Sequence, residues 1–169
     1  KHTITLTNKA FSTSHSIHET IRIKSAAWDT NGVLLYSTLN HIKYALPQGD
    51  TGIIKTLEEP VYLTRVRGST VNCLDRQGCP RTIAIDPTEY RFKLALVNER
   101  YDEVLSIIRT SRLVGQSIIA YLQKKGYPEI ALHFVQDKTT RFDLAVECGN
   151  LDVALETAEA INVPEIWSR

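Results

Sequence analysis

The residue pattern of this chain changes within the stretch Arg81-Thr82-Ile83-Ala84-Ile85-Asp86-Pro87-Thr88-Glu89-Tyr90. The residues before Asp86 form short β-like runs, whereas those after it follow a helical period. Asp86 suits a helix cap, Pro87 suits the first helical turn, and Glu89 can close a capping box. The pattern therefore predicts two domains, residues 1–86 and residues 87–169.

The amino-terminal half predicts about eight antiparallel strands, which at four strands a blade make roughly two blades of a β-propeller. The segment from Ala26 to Tyr36 contains an Asp29 and Asn31-Gly32 turn between two apolar runs, a hairpin that blades commonly contain. Two blades cannot close a ring, and the chain opens on Lys1 already in a β pattern. We therefore expect an excerpt of a longer polypeptide. The predicted strands are Thr3 to Thr7, Ile21 to Ala26, Val33 to Ser37, Ile42 to Ala45, Ile53 to Leu57, Val61 to Arg67, Val71 to Leu74, and Arg81 to Ile85.

The carboxyl-terminal half predicts about six short helices joined by short turns. Helix starts recur at Arg100-Tyr101, Gly126-Tyr127 and Gly149-Asn150, at intervals of 26 and 23 residues. A single short helix pair cannot bury its apolar stripe, so successive pairs stack and share a core. The half is therefore predicted to begin an α-solenoid of helical hairpins, with a compact helical bundle as the alternative.

Composition excludes several classes of protein. The net charge is +1, with 10 basic and 7 acidic residues up to Asp86 and 10 and 12 after it, so neither half predicts a nucleic-acid surface. No run is apolar enough to span a bilayer. The three cysteines lack the spacing of a metal site or a disulfide framework, which favours a reducing, cytosolic compartment.

Candidate chemistry in the sequence is weak. His15 and His18 are three residues apart, a spacing that metal ligands use, but their Ser-rich context favours a solvated loop. Cys73 and Cys79 flank a predicted turn and could face each other across a hairpin, but the roles of a buried small hydrophobe and a partly exposed thiol are favoured for them. His133 lies between apolar residues, so a packing role is favoured for it. No phosphate loop and no nucleophile elbow is present in the sequence. We predict no catalytic residue, no cofactor-binding residue, no metal site and no cofactor.

Two further features are interpreted as structural. Trp28, Tyr44 and Tyr62 lie in β runs and are expected to fill spaces between blades. The stretch from Lys124 to Gly126 fits the carboxyl end of a helix, where cations complement the dipole and Gly ends the turn.

Five stretches of the chain, taken in order, resemble the coatomer alpha-subunit family. They are Asn40-His41-Ile42-Lys43-Tyr44-Ala45, Cys73-Leu74-Asp75-Arg76, Ile85-Asp86-Pro87-Thr88-Glu89, the run from Leu113 to Pro128, and Leu144-Ala145-Val146-Glu147-Cys148-Gly149-Asn150. The resemblance covers nearly the whole chain.

This resemblance implies the end of a WD-repeat propeller followed by the start of an α-solenoid, in a structural subunit of the COPI coat. Such a subunit serves Golgi-to-ER retrograde and intra-Golgi transport through protein–protein contacts. The implied partners are other coatomer subunits, beta-prime especially, and Golgi membrane indirectly through a small GTPase. The resemblance implies that dilysine cargo is read by a domain outside this segment.

Two other interpretations stay open from the residues. One is a different propeller–solenoid scaffold of the intraflagellar transport or nuclear pore type, because the same physics builds those proteins. The other is an enzyme with a site between the propeller and the first helices, which a pocket of polar groups with perturbed pKa near Asp86 to Glu89 would favour.

Overall fold

The computed structural model describes residues 1–110, 116–132, 135, 137–162 and 164. Nine strands precede six helices in these residues. The strands are β1 Thr3–Thr7, β2 Ser14–His18, β3 Ser25–Trp28, β4 Leu34–Ser37, β5 His41–Ala45, β6 Thr51–Thr56, β7 Tyr62–Arg67, β8 Thr70–Leu74 and β9 Pro80–Ala84. The helices are α1 Thr88–Val97, α2 Tyr101–Thr110, α3 Gln116–Lys125, α4 Pro128–Ala131, α5 Lys138–Glu147 and α6 Leu151–Ile161.

The strands form three antiparallel sheets, in the orders β1-β2, β3-β4-β5-β6 and β7-β8-β9. Each strand pairs with the next one in sequence inside its sheet, which is the meander of a propeller blade. The prediction of propeller blades followed by the start of a helical solenoid is confirmed. The ninth strand is β2, which the sequence pattern assigned to a solvated loop. That assignment is wrong, because β2 pairs with β1 over its whole length.

By contacts the chain divides into two compact units, Lys1–Val104 and Leu105–Arg169. Helix α1 belongs to the first unit because Tyr90 and Leu94 are buried in the same apolar core as Val33, Tyr44 and Val71. The change of period at Asp86 and the division by contacts therefore fall at different places. The domain ranges 1–86 and 87–169 stay a prediction.

Inside the first unit, two serine hydroxyls bridge the four-stranded and three-stranded sheets. Ser25 Oγ and Ser37 Oγ lie 2.5 Å apart, on neighbouring strands. Ser37 Oγ donates to the carbonyl of Val61 at 3.0 Å, and the backbone N–H of Leu63 donates to Ser25 Oγ at 2.8 Å. Since β7 begins beside these atoms, the bridge fixes where one blade ends and the next begins.

Three helices end in the same motif, in which a residue just after the helix has positive φ. The residues are Glu99, Gly126 and Gly149, with φ of 57°, 84° and 72°. In each case the following N–H reaches back five residues, as Tyr127 N does to the Leu122 carbonyl at 2.8 Å. This is the Schellman cap, and it explains why the three helix starts recur in the sequence.

Glu99→Gly is expected to raise the free energy of unfolding by about 1 kcal/mol, because a non-glycine residue in the left-handed region costs about that much. Chemical denaturation of the full-length parent protein measures it. Asn98, with φ of −83°, is the matched control. A gain from Asn98→Gly equal to that from Glu99→Gly would show that strain at Glu99 is not the cause.

The second unit is held by buried faces of successive short helices. Leu122 of α3, Ala131 of α4, Leu144 of α5 and Ala158 of α6 are all buried. Side-chain caps start the last two helices: Asp137 accepts from Thr140 N at 2.9 Å, and Asn150 accepts from Val153 N at 3.3 Å. Lys124 and Lys125 lie in the last turn of α3, as predicted.

Candidate functional site: an interaction scaffold

A polar cluster fastens helix α1 to the four-stranded sheet. The Tyr44 hydroxyl donates to Glu89 Oε1 at 3.0 Å and accepts from Lys93 Nζ at 2.8 Å. Lys93 also pairs with Glu89 at 3.1 Å. The Tyr44 and Tyr90 rings lie 5.6 Å apart between centroids, in a tilted arrangement. Helix α1 is therefore joined to β5 by both apolar packing and hydrogen bonds.

The start of α1 differs from the predicted capping box. Asp86 accepts hydrogen bonds from the N–H and the hydroxyl of Thr88, so it caps the helix from the residue before the N-cap position. Pro87 is at the N-cap position and makes no side-chain cap hydrogen bond. Glu89 binds Tyr44 and Lys93 instead, so its carboxylate holds the fold together. The alternative of an enzyme site near Asp86 to Glu89 required a pocket of polar groups there, and in the structure the Glu89 side chain contacts Tyr44 and Lys93.

Gly52→Ala is expected to destabilise the first unit by about 1–3 kcal/mol through overpacking. A Cβ at this position would lie 2.5–2.6 Å from the Tyr44 ring and hydroxyl, and Tyr44 is only 1% exposed. The ring cannot move without leaving Glu89 and Lys93. Denaturation of the full-length parent measures the change. Gly68→Ala is the control, because it adds a Cβ at a residue with positive φ where no atom lies within 4 Å. Equal losses in the two variants would contradict the clash.

A second polar cluster joins the two-stranded and four-stranded sheets. Glu19 Oε1 accepts from the Tyr36 hydroxyl at 2.6 Å and pairs with Lys43 Nζ at 2.5 Å. The side chains of Glu19 and Lys43 are 11% and 18% exposed. Burial alone would raise the pKa of Glu19, but the hydrogen bonds from Lys43 and Tyr36 outweigh it and hold the pKa below its usual range. Burial, with the Glu19 carboxylate beside it, raises the pKa of Tyr36.

Two hairpin turns in the first unit are built by the same Asp-x-x-Gly pattern. Asp29 Oδ1 accepts from the backbone N–H groups of Asn31 and Val33, each at 2.8 Å. Asp75 Oδ1 accepts in the same way from Gln77 and Cys79, at 3.0 and 2.8 Å. Asp75 also pairs with Arg81 at 3.2 Å.

Asp75 gives the chain a pH-dependent contact. The hydrogen bond from the Cys79 N–H, together with Arg81 and the Gln77 N–H, outweighs burial and lowers the pKa of the Asp75 carboxyl. A depressed folded-state pKa contributes stability above the ordinary Asp value and loses it as the pH falls through the folded value.

Asp75→Asn is therefore expected to be less stable than the native chain at pH 7, with a difference that shrinks as the pH falls below about 4. Thermal unfolding of the full-length parent between pH 3 and 7 measures this. Arg81→Gln should show a smaller loss with the same trend. A difference that is constant over this range would contradict a role for the ionised carboxylate.

The predicted candidate residues do not converge on a site. His15 and His18 lie three residues apart on β2, so they point to opposite faces of the strand. His18 Nδ1 is 3.1 Å from Thr3 Oγ1, whereas the His15 ring lies close to Gly49. Within the described ranges, no cluster of three or more His, Cys, Asp or Glu side chains could hold a metal ion. His133 lies outside the described residues.

The two cysteines of the first unit have different environments, and only Cys73 is used in packing. Cys73 is buried and its Sγ lies 3.5 Å from the Arg81 carbonyl, while Cys79 is exposed. Cys73 is opposite Arg81 in the ladder, so the two cysteines do not face each other. Burial raises the pKa of the Cys73 thiol and keeps it protonated at neutral pH.

Of the three aromatic residues expected between blades, only Tyr44 is buried. Trp28 is 56% exposed and Tyr62 is 41% exposed in this segment, so for these two residues a position between blades stays a prediction. Sequence reasoning also missed Glu19, whose partners are 17 and 24 residues away. Among the residues that the structure describes, no helix has the length and apolar character needed to cross a membrane.

In this chain antiparallel blades are followed by short helices, and polar side chains join helix α1 to the blades. These features define the class of propeller–solenoid scaffold proteins. The model of the COPA/B second beta-propeller matches residues 1–75, and that of the COPA/B TPR domain matches residues 98–169. Together these ranges span most of the chain.

Coatomer alpha subunits match the chain over its length. Coatomer subunit alpha of Saccharomyces cerevisiae is 63% identical over 169 residues, and coatomer subunit alpha-2 of Arabidopsis thaliana is 56% identical over the same residues. Coatomer subunit alpha of Dictyostelium discoideum is 49% identical over 166 residues. The chain spans 14% of the length of each of these relatives. It belongs to the COPA/B family of coatomer subunits.

Proposed function

We propose that this chain is a structural segment of a COPI coat subunit that supports Golgi-to-ER retrograde and intra-Golgi vesicle transport. The proposal is supported by the family match and by relatives named coatomer subunit alpha over the full chain. The observation that carries it is the burial of Tyr90 and Leu94 of α1 in the core of the blades.

The proposed mechanism is architectural. Because α1 shares a core with the sheets, the blades and the first helix form one packed unit. Packed units of this kind suit a lattice, since many weak contacts add up only when the geometry lets them form together. No bond-making chemistry is required of these residues, and we propose that the segment is not an enzyme and uses no cofactor.

The proposed partners are other coatomer subunits, beta-prime especially, with Golgi membrane reached indirectly through a small GTPase. The proposed location is cytoplasmic, peripheral on Golgi membrane and on COPI-coated vesicles. Dilysine cargo is proposed to bind a domain outside this segment, so no residue of the segment is proposed to contact cargo.

Membrane recruitment of the full-length parent tests this function. Purified Golgi membranes are incubated with cytosol containing the tagged parent protein and either a non-hydrolysable GTP analogue or GDP, and then sedimented. Sedimentation that requires the GTP analogue is expected for a coat subunit. Sedimentation that is equal with GDP, or absent in both, would overturn the proposal.

A further inference from the structure

The β3–β4 turn contains Asn31-Gly32, which is the single Asn-Gly pair in the sequence. Both residues are exposed, and Gly32 has φ of 81°. A turn of this kind commonly joins antiparallel strands. Asparagine is also a chemically labile residue, because the backbone nitrogen that follows it can attack its side-chain amide. The turn is therefore a candidate for chemical modification as well as a structural element.

The Gly32 backbone nitrogen is available for this attack. Among the hydrogen bonds of the described residues its N–H has no acceptor, whereas the N–H groups of Asn31 and Val33 both donate to Asp29 Oδ1 at 2.8 Å. A Cβ built at Gly32 would meet no atom within 4 Å, so the backbone there is not crowded. The attack at Gly32 thus requires no hydrogen bond from this nitrogen to break.

Two exposed asparagines elsewhere in the described residues are placed differently. The N–H that follows Asn40 donates to Thr38 Oγ1 at 3.2 Å, and the N–H that follows Asn98 donates to the Leu96 carbonyl at 3.1 Å. In both cases the following residue also carries a side chain, which crowds the approach to the amide. Asn40 and Asn98 are therefore internal controls for Asn31.

The Asn31 side chain is held by a long hydrogen bond. Its Nδ2 donates to Asp29 Oδ2 at 3.3 Å, which is beyond the usual range for an N–H donor and an oxygen acceptor. This nitrogen is the group that leaves in the reaction. The side-chain amide can therefore turn toward Gly32 with the loss of a weak contact.

Water is the second reactant that the chemistry needs. The Gly32 nitrogen loses its proton and bonds to the side-chain carbonyl carbon of Asn31, while the amide nitrogen takes up a proton and leaves as ammonia. The product is a cyclic imide. Water then opens the imide at either carbonyl and gives aspartate or isoaspartate. In isoaspartate the main chain passes through the former side chain and gains a methylene group.

Either product would weaken the turn. A carboxylate at position 31 would replace the Nδ2 donor beside Asp29 Oδ2, so an attractive contact would become a repulsion between like charges. The longer main chain of isoaspartate would also shift Val33, whose N–H and carbonyl both form hydrogen bonds with Asp29. Val33 is fully buried in the core that includes Tyr90 and Leu94 of helix α1. The modification would thus loosen the blade beside this helix.

We propose that Asn31 is a site of spontaneous deamidation in the native protein, with aspartate and isoaspartate as products and a loosened β3–β4 turn as the consequence. Because ammonia is lost, modified molecules accumulate as the protein ages. The site depends on this turn alone, so it stands or falls separately from the coat function.

Ageing of the full-length parent protein tests the proposal. The purified protein is incubated at physiological pH and temperature, digested with pepsin in acid, and measured by mass spectrometry for conversion of amide to carboxylate. Conversion at Asn31 should be at least about tenfold faster than at Asn40 or Asn98, where a hydrogen bond must break first. It should become faster as the pH rises, because the attacking nitrogen must lose its proton. Isoaspartate is identified by its carboxyl methylation with an isoaspartyl methyltransferase.

A peptide and a variant locate the cause. A synthetic peptide of residues 26–36 measures the reaction without the folded turn, and the native rate should lie within about tenfold of the peptide rate. Asn31→Gln keeps an amide at this position but would have to form a larger ring, so its conversion should be undetectable over the same time. An Asn31 that stays intact in the native protein while the peptide converts, or that converts no faster than Asn98, would overturn the proposal.

Hydrogen exchange measures the consequence for the turn. The Val33 amide should exchange faster in the aged, isoaspartate-containing fraction and in Asn31→Asp than in the fresh parent, whereas Asn31→Gln should match the fresh parent. Equal exchange in all of these samples would overturn the proposed loosening.

Discussion

Replacing Leu94 by Ala is expected to lower the free energy of unfolding of the first unit by about 2–5 kcal/mol. Leu94 is 6% exposed and belongs to the same buried cluster as Val33, Tyr44 and Val71. The truncation would leave a cavity where helix α1 packs against the blades, and the helix would then hold its position mainly through the Tyr44 cluster. Urea denaturation of the full-length parent measures the loss.

Val97, on the same helix, provides the control. Its side chain is 39% exposed, so Val97→Ala should cost less than about 1 kcal/mol. Hydrogen exchange should show faster exchange of the α1 amides in Leu94→Ala and not in Val97→Ala. If Leu94→Ala loses no more stability than Val97→Ala, helix α1 is not part of the propeller core.

Replacing Lys43 by Met is expected to destabilise the chain by about 2–4 kcal/mol at neutral pH, because it leaves the Glu19 carboxylate buried without its cation. The double change Lys43→Met with Glu19→Gln should recover much of this loss, because no unpaired charge remains. Thermal and urea unfolding of both variants of the full-length parent measure the two values. A double variant that is no more stable than Lys43→Met would show that the unpaired Glu19 carboxylate is not the cause of the loss.

The effect of Lys43→Met should also depend on pH. The folded-state pKa of Glu19 is lowered in the native chain, so its stabilising contribution is complete above the ordinary Glu value of about 4.3 and is lost as the pH falls through the folded value. The difference between the native chain and Lys43→Met should therefore shrink in acid. The more exposed pair Arg91 and Glu103, 3.8 Å apart with side chains 50% and 31% exposed, is the control, and Arg91→Met should cost less than about 1 kcal/mol.

The sequence was most informative where local chemistry decides the structure. The change from a strand pattern to a helical period at Asp86 is followed within two residues by helix α1. Helices α2, α4 and α6 begin at the three helix starts that recur in the sequence. These features depend on residues within one turn of each other, such as the capping Asp86 and the glycines at positive φ. A pattern of neighbouring residues is enough to predict them.

Features that depend on distant residues could not be read from the sequence. Strand β2 was missed because only Ile17 of its five residues is buried, so it has no apolar alternation. The role of Glu89 was missed because its partner Tyr44 is 45 residues away, and a capping box was the nearer explanation. Trp28 was expected to lie between blades because it lies in a β run, and in the structure it is the last residue of β3, with 56% of its surface exposed.

Affinity isolation of the full-length parent from cytosol, followed by quantitative mass spectrometry, tests the central claim most directly. The claim that this segment is part of a COPI coat subunit predicts recovery of the other coatomer subunits in near-equal amounts. Their absence, or recovery of intraflagellar transport or nuclear pore proteins in their place, would contradict it.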